Sequence, residues 1–282
     1  MKKCTYCGKE YPDDALRCLI DEQPLSGTEM LAPILEGPAV GTPMTLPAPE
    51  VRRIALTERQ LQIIEVVLVC FIAFGASILV STYIFFGGAY NHTYNSFAWV
   101  VQALREGSCI ALLWYLLRRR GRSFGELGFG WRWKDLGWSL ILAFAGCLAF
   151  RGIYYLFYRS GLAAITPKGV NEDVGEFLFS GGIFLSTFLF QFINPFFEEL
   201  IARAYVMMEV RHLTNSVTKA ILISTALQTS YHFYQGTTAA VGHGATFLIF
   251  SIYYAKTNRI APVILAHLYL DVGSTLMYWF RF

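Results

Sequence analysis

Charge is scarce in this chain and in places absent. Lys, Arg, Asp and Glu make up 15% of its 282 residues, and residues 66–86 and 177–197 each run 21 positions without one. Each run is long enough to cross the ~30 Å hydrocarbon layer of a bilayer, so a soluble domain with a single core is not the expected architecture. Other absences narrow the function. No basic patch interleaves with base-stacking aromatics, which argues against a nucleic-acid partner. The amino terminus is polar and cysteine-bearing, and lacks the basic patch and apolar core of a cleavable signal peptide. His-Glu-x-x-His, the helical zinc-protease signature, is missing. No internal repeat with paired broken helices is present, which disfavours a transporter.

What the chain has instead is apolar length. It is 55% hydrophobic and 16% aromatic, with mean hydropathy +0.43. Residues 220–255 carry no Asp, Glu, Lys or Arg over 36 positions, too long for one ordinary span, and Gln235-Gly236 offers a turn near the middle. The pattern predicts an all-α membrane protein, a bundle of about seven transmembrane helices with a small zinc-ribbon-like module at the N-terminus. The spans fall near 62–86, 97–117, 136–158, 178–211 with a break at Pro195, 218–234, 237–255 and 260–280. Thr57 and Gln60 make a capping box for the first of them.

Lys and Arg set the orientation. The segment before the first span and the loops after the second, fourth and sixth hold 13 of them, against 3 on the other side. The positive-inside rule therefore predicts a multi-pass protein with a cytoplasmic N-terminus and, with seven spans, an outer C-terminus; a bacterial inner membrane is the expected location. The net charge of +3 is mostly this signal. Trp131, Trp133 and Trp138 interleave with Arg132 and Lys134, as suits the headgroup zone. Asn91-His-Thr93 is a glycosylation sequon on the outer side, relevant only in a secretory pathway.

Residues 1–22 are different material. Cys4-Thr-Tyr-Cys7 and Cys18-Leu-Ile-Asp21 are two ligand pairs of x2 spacing, ten residues apart. Three thiolates and the Asp21 carboxylate suit one tetrahedral, structural zinc, with Gly8 easing the turn. A cytoplasmic location makes a disulfide framework the poorer reading, and a reduced, metal-free tail is the plainer alternative. Residues 23–56, with Pro24, Pro33, Pro38, Pro43, Pro47 and Pro49, form a linker. The tethered module is a candidate for recognising a protein partner. Residues 57–282 form the membrane domain. Cys70, Cys109 and Cys147 fall in spans as small buried apolar groups.

The chemistry lies among the few charges at depth, because ionisable groups inside a bilayer are costly and mark functional sites. At ~1.5 Å per residue, Glu198 and His232 sit roughly 20 Å from the basic boundary, and His267 and Asp271 about 12 and 18 Å from it. Glu199 and Arg203, and His267 and Asp271, are i,i+4 pairs on single helix faces. Pro195, just before the glutamates, predicts a kink and a freed carbonyl.

These residues carry a family resemblance. Glu198-Glu199-Leu-Ile-Ala-Arg203, His232, and His267-Leu-Tyr-Leu-Asp271 resemble, in order and spacing, the three motifs of the intramembrane glutamic endopeptidases, the CAAX-protease and bacteriocin-processing family. The resemblance covers residues 61–282. It implies a helical bundle around a hydrated cavity, without an essential catalytic metal. It further implies that Glu198 and His232 activate water, that His267 and Asp271 face the oxyanion, and that Glu199 and Arg203 support them as an ion pair. Substrates would be membrane-associated peptides or proteins, lipidated C-a-a-X chains or leader peptides, met alongside membrane lipid. Two positions depart from the family pattern: Gln228 stands where Phe is common, and Asp271 where Asn is common. An ionised Asp271 cannot donate to an oxyanion, so it is either protonated or orients His267 as an acceptor.

Plainer assignments apply elsewhere. His243 and His212 read as interhelical hydrogen-bond partners, and Arg105, Glu106 and Arg151 as cavity-lining or structural charges. Two other function classes stay open: a metal-dependent membrane protease, and a non-catalytic bacteriocin-immunity or transport protein.

Overall fold

A computed structural model describes residues 2–3, 10–16, 25, 56–88, 94–169, 174–179 and 181–280 of the chain. It divides into two compact units, Met1–Ile54 and Ala55–Phe282. In the first, β1 (Lys2–Lys3) pairs antiparallel with β2 (Glu10–Tyr11), and Tyr11 and Leu25 form a small apolar cluster with Ala15. The expected zinc ligands Cys4, Cys7, Cys18 and Asp21 lie outside the described residues, as do nearly all of the Pro-rich segment and the sequon at residues 91–93.

The second unit is helical among its described residues. Its elements are α1 (Glu58–Phe85), α2 (Ser96–Arg119), α3 (Lys134–Arg159), the short α4 (Leu162–Ile165) and α5 (Val174–Phe179), α6 (Leu185–Glu198), a π-helical segment (Glu199–Tyr205), α7 (Val206–Thr214), α8 (Val217–Ser230), α9 (Thr237–Thr257) and α10 (Ala261–Phe280). The expected capping box opens α1: Gln60 N–H donates to Thr57 Oγ1 at 3.3 Å, and Thr57 N–H to Gln60 Oε1 at 2.9 Å. The turn at Gln235-Gly236 is also present, as a 3-10 turn (Phe233–Gln235) ending on Gly236 at φ +91°.

Four of these helices, α1, α2, α3 and α10, are long and apolar enough to cross a membrane. Seven were expected. At ~1.5 Å per residue the 14 residues of α8 reach only about two-thirds of the hydrocarbon thickness. The helix expected from residue 178 starts at Leu185 instead, because Gly182, at φ +103°, breaks the backbone after α5. Large apolar side chains of α1 (Val67, Phe71, Leu79) and α3 (Leu140, Phe144, Leu148) are exposed along whole faces. Such surface is untenable in water and ordinary against lipid tails.

Packing follows small residues. Helix α3 lies against α9 and α10, α6 against α2 and α10, and α8 against α7 and α9. The α3–α9 approach depends on Gly146, where a Cβ would come within 2.7 Å of Thr246 Cγ2, while Thr246 Oγ1 donates to the Gly146 carbonyl at 3.0 Å. The basic boundary is tied down by ion pairs. Arg120 and Arg122 converge on the buried Glu209 at 3.2 and 3.3 Å, Arg120 also meets Glu65 at 2.7 Å, and Arg259 meets Asp135 at 2.6 Å.

The break predicted at Pro195 lies elsewhere. The α-helix runs through Pro195 to Glu198, and the ladder widens only at Glu199–Tyr205. A π segment inserts one extra residue per turn and is a recognised way to aim side chains at a functional site. All seven of its residues are buried. One of its carbonyls, that of Ala202, accepts from Ser224 Oγ of α8 at 2.7 Å. Three further expectations are corrected. Cys147 is exposed on the outside of α3, His212 is exposed at the end of α7, and Arg151 is exposed on α3, so none of the three sits in the helix packing.

Candidate active site

Glu198 is the last α-helical residue before the π segment and is 7% exposed. Each of its oxygens has one donor. Asn194, one turn earlier on the same face, gives Nδ2–H to Oε1 at 3.3 Å, and the Tyr231 hydroxyl gives its proton to Oε2 at 2.8 Å. The Tyr231 ring is fixed by stacking on Phe74 of α1 at 5.0 Å, nearly parallel at 3°. A carboxylate oxygen accepts more than one hydrogen bond, so this pair of donors orients Glu198 without exhausting its acceptor capacity.

Glu199 points into a different network. It and Arg203 are both fully buried and form an ion pair through Arg203 Nε and Glu199 Oε2. Burying two charges is tolerable only if their remaining donors and acceptors are met. Here they are: Arg203 Nη1 donates to the Phe247 carbonyl at 2.9 Å and to Ser251 Oγ, and Nη2 donates to Gln228 Oε1. Gln228 returns Nε2–H to Glu199 Oε1 at 3.2 Å. The rings of Phe247 and Phe250 lie 5.9 and 5.6 Å from the guanidinium carbon. Gln228, one of the two departures from the family pattern, is therefore a cross-brace between Arg203 and Glu199.

The histidines are held by the same elements. His232 follows the end of α8, and its Nδ1 lies 2.8 Å from the Gln228 carbonyl. A carbonyl only accepts, so Nδ1 carries the proton and Nε2 is left as an acceptor in the neutral ring. The imidazole ring lies 4.8 Å from Tyr231, 4.7 Å from His243 and 5.1 Å from Phe247. His243 in turn bonds through Nε2 to Gln235 Oε1 at 2.9 Å, so it packs directly behind His232. His267 of α10 directs Nδ1–H to Glu199 Oε1 at 2.9 Å, and its Nε2 stands 3.6 Å from Asp271 Oδ1. That second distance is too long for a hydrogen bond. Asp271 is partly exposed, and the Gln191 amide donates to its backbone carbonyl at 3.5 Å.

The structure thus brings Glu198, Glu199, Arg203, His232, His267 and Asp271 into one region, fed by α6, the π segment, α8, α9 and α10. It adds Asn194 and Tyr231, which sequence reading left without a role, and gives partners to Gln228, noted there only as a departure, and to His243, read there as an interhelical hydrogen-bond partner. Asn194 had a signal in its i,i+4 spacing from Glu198. The other three act across helices. Among the described residues no group of three or more His, Cys, Asp or Glu side chains is arranged to hold a metal ion.

No curated protein and no solved structure matches this chain. Residues 180–273, which carry all six motif residues, match the family model described as Rce1-like, type II CAAX prenyl endopeptidase Rce1-like, and this match agrees with the CAAX-protease resemblance of the three motifs.

Proposed function

We propose that the protein is an intramembrane glutamic endopeptidase that hydrolyses a peptide bond of a membrane-associated substrate. The observation that carries this reading is the setting of Glu198: a buried carboxylate oriented by Asn194 and Tyr231, with the His232 ring 4.8 Å from the ring of that same Tyr231. In this reading Glu198 is the general base and takes a proton from water, whose hydrogen-bonding partner on the other side is His232 Nε2. The hydroxide adds to the substrate carbonyl. The oxyanion that forms is met by Nε2–H of a doubly protonated His267, whose Nδ1–H stays on Glu199 and whose Nε2, at 3.6 Å from Asp271, has no hydrogen bond to that carboxyl. Breakage of the C–N bond returns the proton from Glu198 to the leaving amine. Asp271 serves as an acceptor that orients His267, and Glu199 with Arg203 holds the helices in place.

Cleavage without a catalytic metal follows from this assignment of the water-activating role to Glu198 and His232. Substrates are lipidated C-a-a-X chains or unmodified leader peptides, presented from the cytoplasmic side of a bacterial inner membrane. The N-terminal module carries a structural zinc on Cys4, Cys7, Cys18 and Asp21 and recognises a protein partner. The two-stranded pairing of β1 and β2 on either side of residues 4–9 supports a ribbon-like module. The N-terminus lies in the cytoplasm, with seven spans, as the Lys and Arg distribution supports.

The test is cleavage of quenched peptides, with and without a prenyl group, by the full chain in detergent, with Glu198→Gln as control. Glu198-dependent cleavage is expected. A folded preparation with no such cleavage overturns the enzyme reading. An activity in cells that survives Glu198→Gln marks a non-catalytic immunity or transport protein instead.

A further inference from the structure

Glu106, in the middle of α2, is a second carboxyl of the same site. Its side chain is 2% exposed. Asn194 Nδ2, the nitrogen that donates to Glu198 Oε1, also donates to Glu106 Oε1 at 3.2 Å. One amide group therefore ties the two carboxyls together. They are otherwise unequal. Glu198 has a donor on each oxygen, whereas Glu106 Oε2 is buried with no hydrogen-bond partner among the described residues. The other charged or titratable groups facing Glu106 are Arg105 beside it, with Nη2 3.5 Å from Oε1, Cys109 on its own helix, and Asp271 of α10. Arg105 addresses Oε1, so Oε2 remains without a donor.

A buried, ionised carboxylate oxygen with no donor is among the costliest arrangements a protein interior offers. Two carboxylates sharing one site do not both ionise readily. From this geometry we propose that Glu106 and Glu198 bear a single negative charge between them, placed on Glu198, with Glu106 in its neutral acid form carrying its proton on Oε2. Glu106 is then a positioning residue. Its Oε1 fixes the Asn194 amide, and that amide fixes the Glu198 carboxylate. A second negative charge at Glu106 would repel the anionic transition state that His267 faces. The consequence for catalysis rests on the reading of Glu198 as the general base, while the protonation of Glu106 does not.

Two measurements separate these claims. The first needs no activity: infrared difference spectra of the full chain at neutral pH compare the wild type with Glu106→Gln and Glu198→Gln. The protonated-carboxyl C=O band is expected to vanish in Glu106→Gln and to persist in Glu198→Gln. A band unchanged by Glu106→Gln overturns the proposal, whatever the protein cleaves. The second is the pH profile of kcat/KM. Gln reproduces the acceptor and donor of a neutral carboxyl but cannot ionise, so Glu106→Gln should keep the plateau rate within a few-fold. Its alkaline limb should move up by about one pH unit or more. Glu106→Leu, which loses the acceptor for Asn194, should fall at least ~10-fold in kcat. Glu198-dependent cleavage with identical pH limbs in wild type and Glu106→Gln overturns the positioning role. Absence of Glu198-dependent cleavage overturns the protease reading instead, and the infrared result then stands alone.

Discussion

The hydroxyl of Tyr231 donates to Oε2 of Glu198 at 2.8 Å, and its ring is stacked on Phe74, so the orientation of a deep carboxylate is set from a different helix, α1, through two aromatic rings. Removing the hydroxyl leaves the stack intact. A hydrogen bond to a charged acceptor contributes about 1.5–3 kcal/mol, so Tyr231→Phe is expected to lower kcat by about 10- to 100-fold with little change in thermal stability. Peptide cleavage and a melting curve on the same preparation check this. Wild-type kcat in Tyr231→Phe would remove Tyr231 from the account of the base.

Gln228 braces the Arg203–Glu199 pair with both ends of its amide. Gln228→Phe, which installs the residue common in the family, leaves one Nη2–H of Arg203 unmet in a fully buried site, while Glu199 Oε1 keeps its bonds from His267 and Arg203. The expected cost is about 1–3 kcal/mol, read as a lower melting temperature in detergent. Arg203→Met should cost more, about 3–5 kcal/mol, because it strands the Glu199 charge. Equal stability of wild type and Gln228→Phe would mean that the pair is satisfied by other groups.

Asp271 Oδ1 faces His267 Nε2 from 3.6 Å. If its role is to orient that imidazole as an acceptor, Asp271→Asn should retain turnover within a few-fold, since the amide oxygen accepts and the amide nitrogen can donate to the oxyanion. Asp271→Ala should lose about 10-fold or more in kcat. A dead Asp271→Asn variant would show that the negative charge itself is required.

Zinc analysis addresses the N-terminal unit. The full chain is expected to carry one zinc ion per molecule, lost when residues 1–50 are deleted, while Glu198-dependent cleavage survives the deletion and added chelator. Zinc retained by the shortened chain would place a metal in the membrane unit and favour a metal-dependent mechanism.

Much of the helical framework was legible in composition, because an uncharged apolar run has one economical structure in lipid. The cap at Thr57 and Gln60 and the turn at Gln235-Gly236 rest on contacts within four residues, and both are found. The ion pair of Glu199 and Arg203 is local in the same way. Tyr231, Gln228 and Glu106 were not legible, because their partners lie 25 or more residues away and depend on how α1, α2, α6 and α8 pack. Pro195 misled for a physical reason: a proline removes one donor but does not dictate where the ladder gives way, and the widening falls four residues later at Glu199. The apolar run of residues 220–255 is divided, as the turn at Gln235-Gly236 predicts, into α8 and α9 of 14 and 21 residues.

The π segment makes the distance between Glu198 and Arg203 a matter of counting. Before it, Asn194 and Glu198 meet Glu106 and Tyr231; within it, Arg203 meets Phe247, Ser251 and Gln228, and Tyr205 donates to Glu65 of α1. Deleting one residue from 200–202 would return this stretch to ordinary winding and shorten the Glu199–Arg203 spacing from four residues to three. The length of this stretch is thus as constrained as its side chains: a version shortened between Glu199 and Arg203 would keep every motif residue and still lose the spacing on which their ion pair is built.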